Sequence, residues 1–333
     1  MTERRGGWVL GVDSGGSGLR AALADIADPR RVETAESREP VRTGSDGIDA
    51  RHLLDQLLPM ARGLLERTGG TSLSAVAIGA AGMATLGGAL RSELPAALDR
   101  LLGVRRVALA ADAVTAYAGA LGQRPGAVVA AGTGMIAMGT DLRAWHRADG
   151  WGHLLGDSGG GAWIGRAGLE AALRAHDGRR GGSPALLTRV ESVFGPAEDL
   201  PGMLYPRSDR PAVLASFAPE VAGCAAAGDE VSAQILAAAA RHVAEAAAAV
   251  CPSVSEDPEG SHVALTGGLL KLGEPLLSPL RAELAGQLPH ARLVPAAGDP
   301  LSGAVLLAAA LATDSLLLPR QPTLLHVPTQ PHR

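Results

Sequence analysis

Two segments of this chain follow the same plan, and the duplication narrows what it can fold into. Residues 8–13, Trp-Val-Leu-Gly-Val-Asp, read as a buried strand; a glycine-rich turn follows, and 19–25 read as a second strand. Residues 126–139 repeat the pattern of strand, Gly132-Thr133-Gly134, strand. Helix and strand then alternate after each opening. Leu54, Leu57, Leu58, Ala61 and Leu65 share one helical face, 74–79 and 105–112 read as strands, and 31–40 offer a further one. Residues 88–102 look helical, with Pro95 expected to kink or divide them. In the second half, helices are expected over about 159–176, 184–194, 229–250, 275–287 and 301–313, and strands over 261–266 and 292–295. Residues 196–211 read as a loop. The tail from Pro319, with four prolines in fifteen residues, reads as loosely ordered. The alternation implies an α/β fold with mixed sheets flanked by helices.

Composition removes several function classes. Hydrophobic residues make up 47% and charged residues 19%, enough apolar material for a packed core. With aromatics at 2%, that core must be built from Ala, Val and Leu. A net charge of −4 gives no basic footprint for nucleic acid. Thirty basic residues include a single lysine, Lys271, in Leu-Leu-Lys-Leu-Gly, so no Walker Gly-Lys-Ser/Thr exists. Two cysteines, Cys224 and Cys251, exclude a disulfide framework or a four-cysteine zinc site within one chain, and both read as small buried residues. Neither a signal peptide nor a convincing membrane span is visible, so a soluble cytoplasmic protein is expected.

Five segments carry candidate chemistry. In Asp13-Ser14-Gly15-Gly16-Ser17-Gly18, glycine lets backbone N–H groups approach an anion, the serines can donate to phosphate, and Asp13 can hold Mg²⁺. Gly132-Thr133-Gly134 could clamp the same polyphosphate from the other side. Asp112, among small apolar residues at a strand-to-helix junction, reads equally as a base for an attacking hydroxyl and as a helix cap. Seven glycines between 150 and 165 accompany Trp151, Trp163, His153 and Asp157, which suits sugar recognition, or a mobile surface loop. Gly267-Gly268 ends a strand where a nucleotide base could lie, and alone it reads equally as an ordinary strand-to-helix turn.

In this order and at these separations, the five segments resemble the superfamily of sugar kinases, heat-shock chaperones and actin. Trp151-Gly152-His153 followed by Gly156-Asp157 is similar to its N-acetylglucosamine kinase branch, which also contains the activator ATPases of 2-hydroxyacyl-CoA dehydratases. The resemblance covers about residues 8–313 and implies two ribonuclease-H-like, actin/hexokinase-type domains with a cleft between them. The lobes are expected at 1–122 and 123–300, with the last helix, about 300–314, packing back on the first, and a tail at 315–333. ATP and Mg²⁺ are the implied cofactors and a homodimer the implied assembly. By motif position Asp112 is the base toward a sugar 6-hydroxyl, and Asp13 serves the metal. Ser14, Gly15, Gly16, Ser17, Gly132, Thr133, Gly134, Gly267 and Gly268 bind ATP. Asp157, Gly152, His153, Thr133, Ser45 and Asp46 face the sugar.

Two departures bear on substrate. The branch usually has Asp-Glu-Gly where this chain has Asp157-Ser158-Gly159, and an Asn-His-Trp element where it has Arg42-Thr43-Gly44-Ser45-Asp46-Gly47. Acetamide contacts are therefore not evident, and Asp46 or Asp157 could instead accept from an ammonium group. The expectation is a glucosamine 6-kinase, with N-acetylglucosamine as the alternative acceptor. An activator ATPase would need a cysteine facing an iron–sulfur cluster. A sugar-binding regulator would need a DNA-binding element, and no basic extension precedes Trp8.

Overall fold

The computed structural model describes residues 7–15, 18–28, 31–44, 47–253 and 260–328. In chain order it begins with β1 (Trp8–Gly15), β2 (Gly18–Asp25), β3 (Val32–Ser37), β4 (Thr43–Gly44) and β5 (Gly47–Ile48). Then come α1 (Ala50–Thr68), β6 (Leu73–Ala80), α2 (Met83–Leu86), α3 (Gly88–Leu102), β7 (Val107–Ala111) and α4 (Asp112–Leu121). The second opening is β8 (Gly126–Ala131), β9 (Met135–Thr140) and β10 (Trp145–Asp149). Helices α5 (Gly161–His176), α6 (Pro184–Phe194), α7 (Leu200–Leu204), α8 (Arg210–Ser216), α9 (Ala218–Ala226) and α10 (Glu230–Val250) follow. The chain closes with β11 (Ser261–Thr266), α11 (Glu274–Gln287), β12 (Ala291–Pro295), α12 (Pro300–Ala312) and β13 (Leu325–His326).

These elements form two compact units. The first comprises 1–124, 140–145 and 295–333; the second comprises 125–139 and 146–294. The first holds a six-stranded sheet in the order β13-β7-β6-β1-β2-β3. Within it β1, β6 and β7 run parallel, while β2, β3 and β13 are antiparallel to their neighbours. The second holds a five-stranded sheet, β10-β9-β8-β11-β12, in which β8 and β11 are parallel.

Helix α12 is the keystone of the first unit. Asp299 caps it, accepting from the Ser302 N–H at 2.9 Å. Leu301, Ala304, Leu307, Ala308 and Leu311 are buried, each leucine contributing roughly 1.5–3 kcal/mol. It crosses α4 so closely that a Cβ on Gly303 would overlap the Thr115 carbonyl oxygen, so only glycine permits that approach. The second core is built from α5, α9 and α10 against β8 and β9, with Phe217 and Ile164 fully buried among alanines.

The structure corrects three expectations. Helix α3 runs through Pro95 without being divided, because Leu90, Leu94 and Leu98 anchor one face in the core and offset the proline's cost of about 3 kcal/mol. The segment 196–211 is not a loop: a 3-10 turn at Ala197–Asp199 leads into α7, and α8 starts at Arg210. Pro201 and Pro211 occupy first helical turns, where a missing N–H costs nothing. Residues 319–328 of the tail are not loose either. Leu325 is fully buried and pairs with Ala110, Ala111 N–H donates to the Leu324 carbonyl at 2.8 Å, and the Trp145 indole donates to the Pro319 carbonyl at 2.7 Å. The tail thereby covers the free edge of β7, which an open sheet cannot leave unprotected without cost.

Candidate active site

In the first unit, functional groups gather where the parallel strands end. Asp13 pairs across the hairpin with Arg20, and Gly15 with Gly18. In register, Asp13 lies beside Gly79 and Gly79 beside Ala110; Ala111 ends β7 and Asp112 opens α4. Asp13 and Asp112 thus stand at the carboxyl ends of β1 and β7, two strand spacings or about 10 Å apart in the sheet.

Asp112 is solvent-accessible, and its Oδ1 accepts from its neighbour's N–H, that of Ala113, at 2.9 Å. Protein atoms still crowd much of the carboxyl group. That loss of hydration, and then the negative charge of Asp13, raise its pKa above the usual 3.8 against the opposing Ala113 bond. Asp13 has Oδ2 held by Arg20, at 2.6 Å from Nη2 and 3.2 Å from Nε. Arg20 Nη1 also donates to Asp299 Oδ2 at 2.8 Å, tying the hairpin to the start of α12. Burial opposes the Asp299 charge, but the Ser302 bonds and Arg20 outweigh it and hold that carboxyl below its usual range. Ser14 is buried, and its hydroxyl has no protein partner among the described residues. Gly16, Ser17, Ser45 and Asp46 lie outside the described residues.

The second unit gathers the other motifs. The Gly132–Gly134 turn is seated on the first turn of α5: Gly161 N–H donates to the Gly132 carbonyl and Ala162 N–H to the Thr133 carbonyl, each at 2.8 Å. Thr133 is exposed, with its hydroxyl unengaged among the described residues. The loop after β10 is organised by Asp149, whose carboxylate accepts from the N–H groups of Asp157 at 2.5 Å and Ser158 at 2.9 Å. Asp157 adopts a left-handed backbone, φ 55°, and its Oδ1 accepts from Gly152 N–H at 2.9 Å. Burial, then Asp149, raise the Asp157 pKa, while the Gly152 bond and His153 oppose the rise. Trp151 stands out at 64% exposure, with Arg147 stacked 4.0 Å from its ring centre. His153 is half-buried. Asp157 Oδ2 packs directly against Gly134, so the Gly132–Gly134 turn and the loop after β10 touch within this unit.

Gly267 has φ 104°, and a Cβ there would overlap the Ala131 carbonyl oxygen, which brings the turn after β11 onto the end of β8. Gly268 lines a groove of about 450 Å³ between α9 and the 3-10 turn Gly268–Leu272. The α9 wall, Pro219, Ala222, Gly223 and Ala226, was missed in the sequence. Its signal was there: four small residues at helical spacing. Asp149 and Arg20 were also missed. Asp149 precedes Gly150 as an Asp-Gly pair, and Arg20 is recognisable only once the hairpin register places it opposite Asp13.

A larger cavity, about 950 Å³, lies between α12 and β2–β3, lined by Ala22, Val32, Val305 and Leu306. It meets the site only at Arg20 and Asp299, so size points away from the chemistry. For a magnesium ion, no cluster of three ligating side chains exists among the described residues. The arrangement nevertheless fits one held mainly by water and phosphate: Arg20 fixes Oδ2 of Asp13 and leaves Oδ1 for a hard cation.

Residues 10–308 match the model of the BadF/BadG/BcrA/BcrD ATPase family. The chain belongs to that family. It is 28% identical over 311 residues to an N-acetylmuramic acid/N-acetylglucosamine kinase of Clostridium acetobutylicum, covering 90% of this chain and 98% of that one. An N-acetyl-D-glucosamine kinase of Dictyostelium discoideum is 32% identical over 204 residues, 59% of this chain and 63% of the relative. A crystal structure assigned to the N-acetylglucosamine kinases, from Chromobacterium violaceum, superposes with a TM-score of 0.66 at 27% identity, covering 90% of this chain and 98% of that one. A Streptomyces griseus ROK family glucokinase with glucose and AMPPNP matches in fold alone, at a TM-score of 0.53 and 19% identity over 91% of this chain and 98% of that one. The family member described here has the α/β, actin/hexokinase-type two-domain fold of these neighbours. No helix among the described residues is long and apolar enough to cross a membrane.

Proposed function

We propose that the chain is an ATP-dependent amino-sugar kinase that transfers the γ-phosphoryl group to the 6-hydroxyl of a hexosamine. Asp112 carries the reading: a solvent-reachable carboxyl group of raised pKa, at the same carboxyl end of the parallel strands as the Asp13 hairpin. A raised pKa makes it a stronger proton acceptor. Asp112 takes the proton of the attacking 6-hydroxyl as the new O–P bond forms and the bond to the ADP oxygen breaks. Asp157, fixed by Gly152 and Asp149, accepts hydrogen bonds from sugar hydroxyls. Gly152 and His153 line the same loop. The hydroxyls of Ser14 and Thr133 and the backbone of Gly15, Gly132 and Gly134 donate to phosphate oxygens, and Gly267 and Gly268 admit the adenosine. Asp13 is the residue to hold Mg²⁺, which supplies neutralising charge on the phosphates when bound.

The sequence alone favoured glucosamine. The relatives' names support N-acetylglucosamine as the first acceptor, with glucosamine as the second reading, favoured by the missing Asn-His-Trp element. A coupled ADP-release assay across N-acetylglucosamine, glucosamine, N-acetylmuramic acid, glucose and mannosamine decides the order. ATP hydrolysis at one rate with or without every sugar would overturn the kinase reading. The activator-ATPase alternative needs a cluster-binding thiolate. Cys224 and Cys251 are both buried, and burial raises both thiols, Cys251 to about 11.

A further inference from the structure

We infer that Lys271 sets the base preference of the groove at Gly268, and that the protein takes the 6-oxopurine nucleotides GTP and ITP as phosphoryl donors at least as well as ATP. The inference rests on the kinase reading above. One wall of the groove is the small-residue face of α9, and the other is Leu272 and Pro275. A Cβ added at Gly223 or Gly268 would meet no atom within 4 Å, so both face open space. Among the lining side chains only Lys271 carries a polar group. It is exposed and makes no ion pair among the described residues. An ammonium offers three donors and no acceptor.

That asymmetry matters because purines differ at one edge. Adenine presents the N7 acceptor beside an N6 amino donor, whereas guanine presents two acceptors, N7 and O6. Hypoxanthine shares the guanine edge. Lysine therefore satisfies both acceptors of a 6-oxopurine but meets only N7 of adenine, with the amino group left facing another donor. An adenine-selective groove would set an acceptor against N6, and no lining side chain supplies one.

The test measures kcat/KM for ATP, GTP, ITP and CTP with the best sugar acceptor, and binding of ADP and GDP by calorimetry without sugar. GTP and ITP should match or exceed ATP, with CTP, whose smaller ring leaves much of the groove empty, well below all three. Lys271→Met should lower the GTP-to-ATP and GDP-to-ADP ratios about tenfold, and Lys271→Arg, which keeps paired donors, should preserve them. A wild-type preference for ATP above about threefold, or ratios unmoved by Lys271→Met in a protein of normal melting temperature, overturns the inference while leaving the kinase reading intact. Failure of every nucleotide to bind or turn over overturns both.

Discussion

Replacing Gly134 by alanine should damage sugar use while leaving the nucleotide largely alone. A Cβ at 134 would overlap Asp157 Oδ2 and lie 3.0 Å from its Cγ. Carbon contacts settle at about 3.5–4.0 Å, so the carboxylate must move by roughly 0.5–1 Å. Its escape is restricted: Oδ1 is bonded to Gly152 N–H at 2.9 Å, and the Asp157 N–H is held by Asp149 at 2.5 Å. Rotating away forfeits a charge-assisted bond, about 1.5–3 kcal/mol. Dragging the loop instead misplaces the sugar contact by about an ångström, worth up to about 100-fold. Either route gives a loss of about 10- to 100-fold in kcat/KM for the sugar. Gly132→Ala is the counterpart. Its Cβ would meet no protein atom within 4 Å, so the methyl enters the open side of the turn and should raise the nucleotide KM instead. Initial rates with each substrate varied at saturating levels of the other, and melting temperatures as a folding control, separate the two. A folded Gly134→Ala variant with a sugar KM and kcat within twofold of the parent would refute the coupling of turn and loop.

Three further outcomes are expected. Asp112→Asn should cut kcat by about 10²–10⁴-fold while sugar and nucleotide still bind calorimetrically; near-normal turnover would remove Asp112 from the chemistry. Because the folded Asp112 pKa lies above 3.8, its charge costs the folded state stability as pH rises through that value. The melting temperature of the variant minus that of the parent should therefore grow from pH 3.5 to pH 7, and a constant difference would contradict the burial argument. Asp299→Ala removes the cap of α12 and a partner of Arg20, and should cost about 1–2 kcal/mol in urea unfolding, with Asp299→Asn keeping most of it. The Asp299 contribution should fade as pH falls through its lowered pKa, below 3.8. Finally, with Cys251 pushed up to about 11 and Cys224 also raised, a thiol reagent at pH 8 should label neither in the native protein. Fast labelling of either would revive the thiolate-ligand reading.

Much of this was legible locally. The doubled strand-turn-strand openings, the strand ends at Asp13 and Asp112, and the glycine-dense loop around Asp157 each rest on residue type and short spacing, which chain chemistry constrains directly. At Pro95 the tertiary anchoring of Leu90, Leu94 and Leu98 overrode the residue's helix-breaking propensity, and the segment 196–211 became helical where Pro201 and Pro211 fall on first helical turns, a placement set by where each helix begins. The two-residue strand β13 left no periodic trace, because it exists only by pairing with β7, far away in sequence.

Sequence by itself determined the alternation of elements, the absence of a Walker lysine and the candidate acids and glycine turns, since these are properties of neighbouring residues. Only tertiary structure decided that Arg20 holds Asp13 and Asp299, that Asp149 holds Asp157, that Gly134 lies against that same carboxylate, and that Lys271 is the one polar side chain lining its groove. Those relations depend on strand register and on turns packed against helices. Hydrogen bonding and close packing act at 3–4 Å between residues whose separation along the chain carries no record of their meeting.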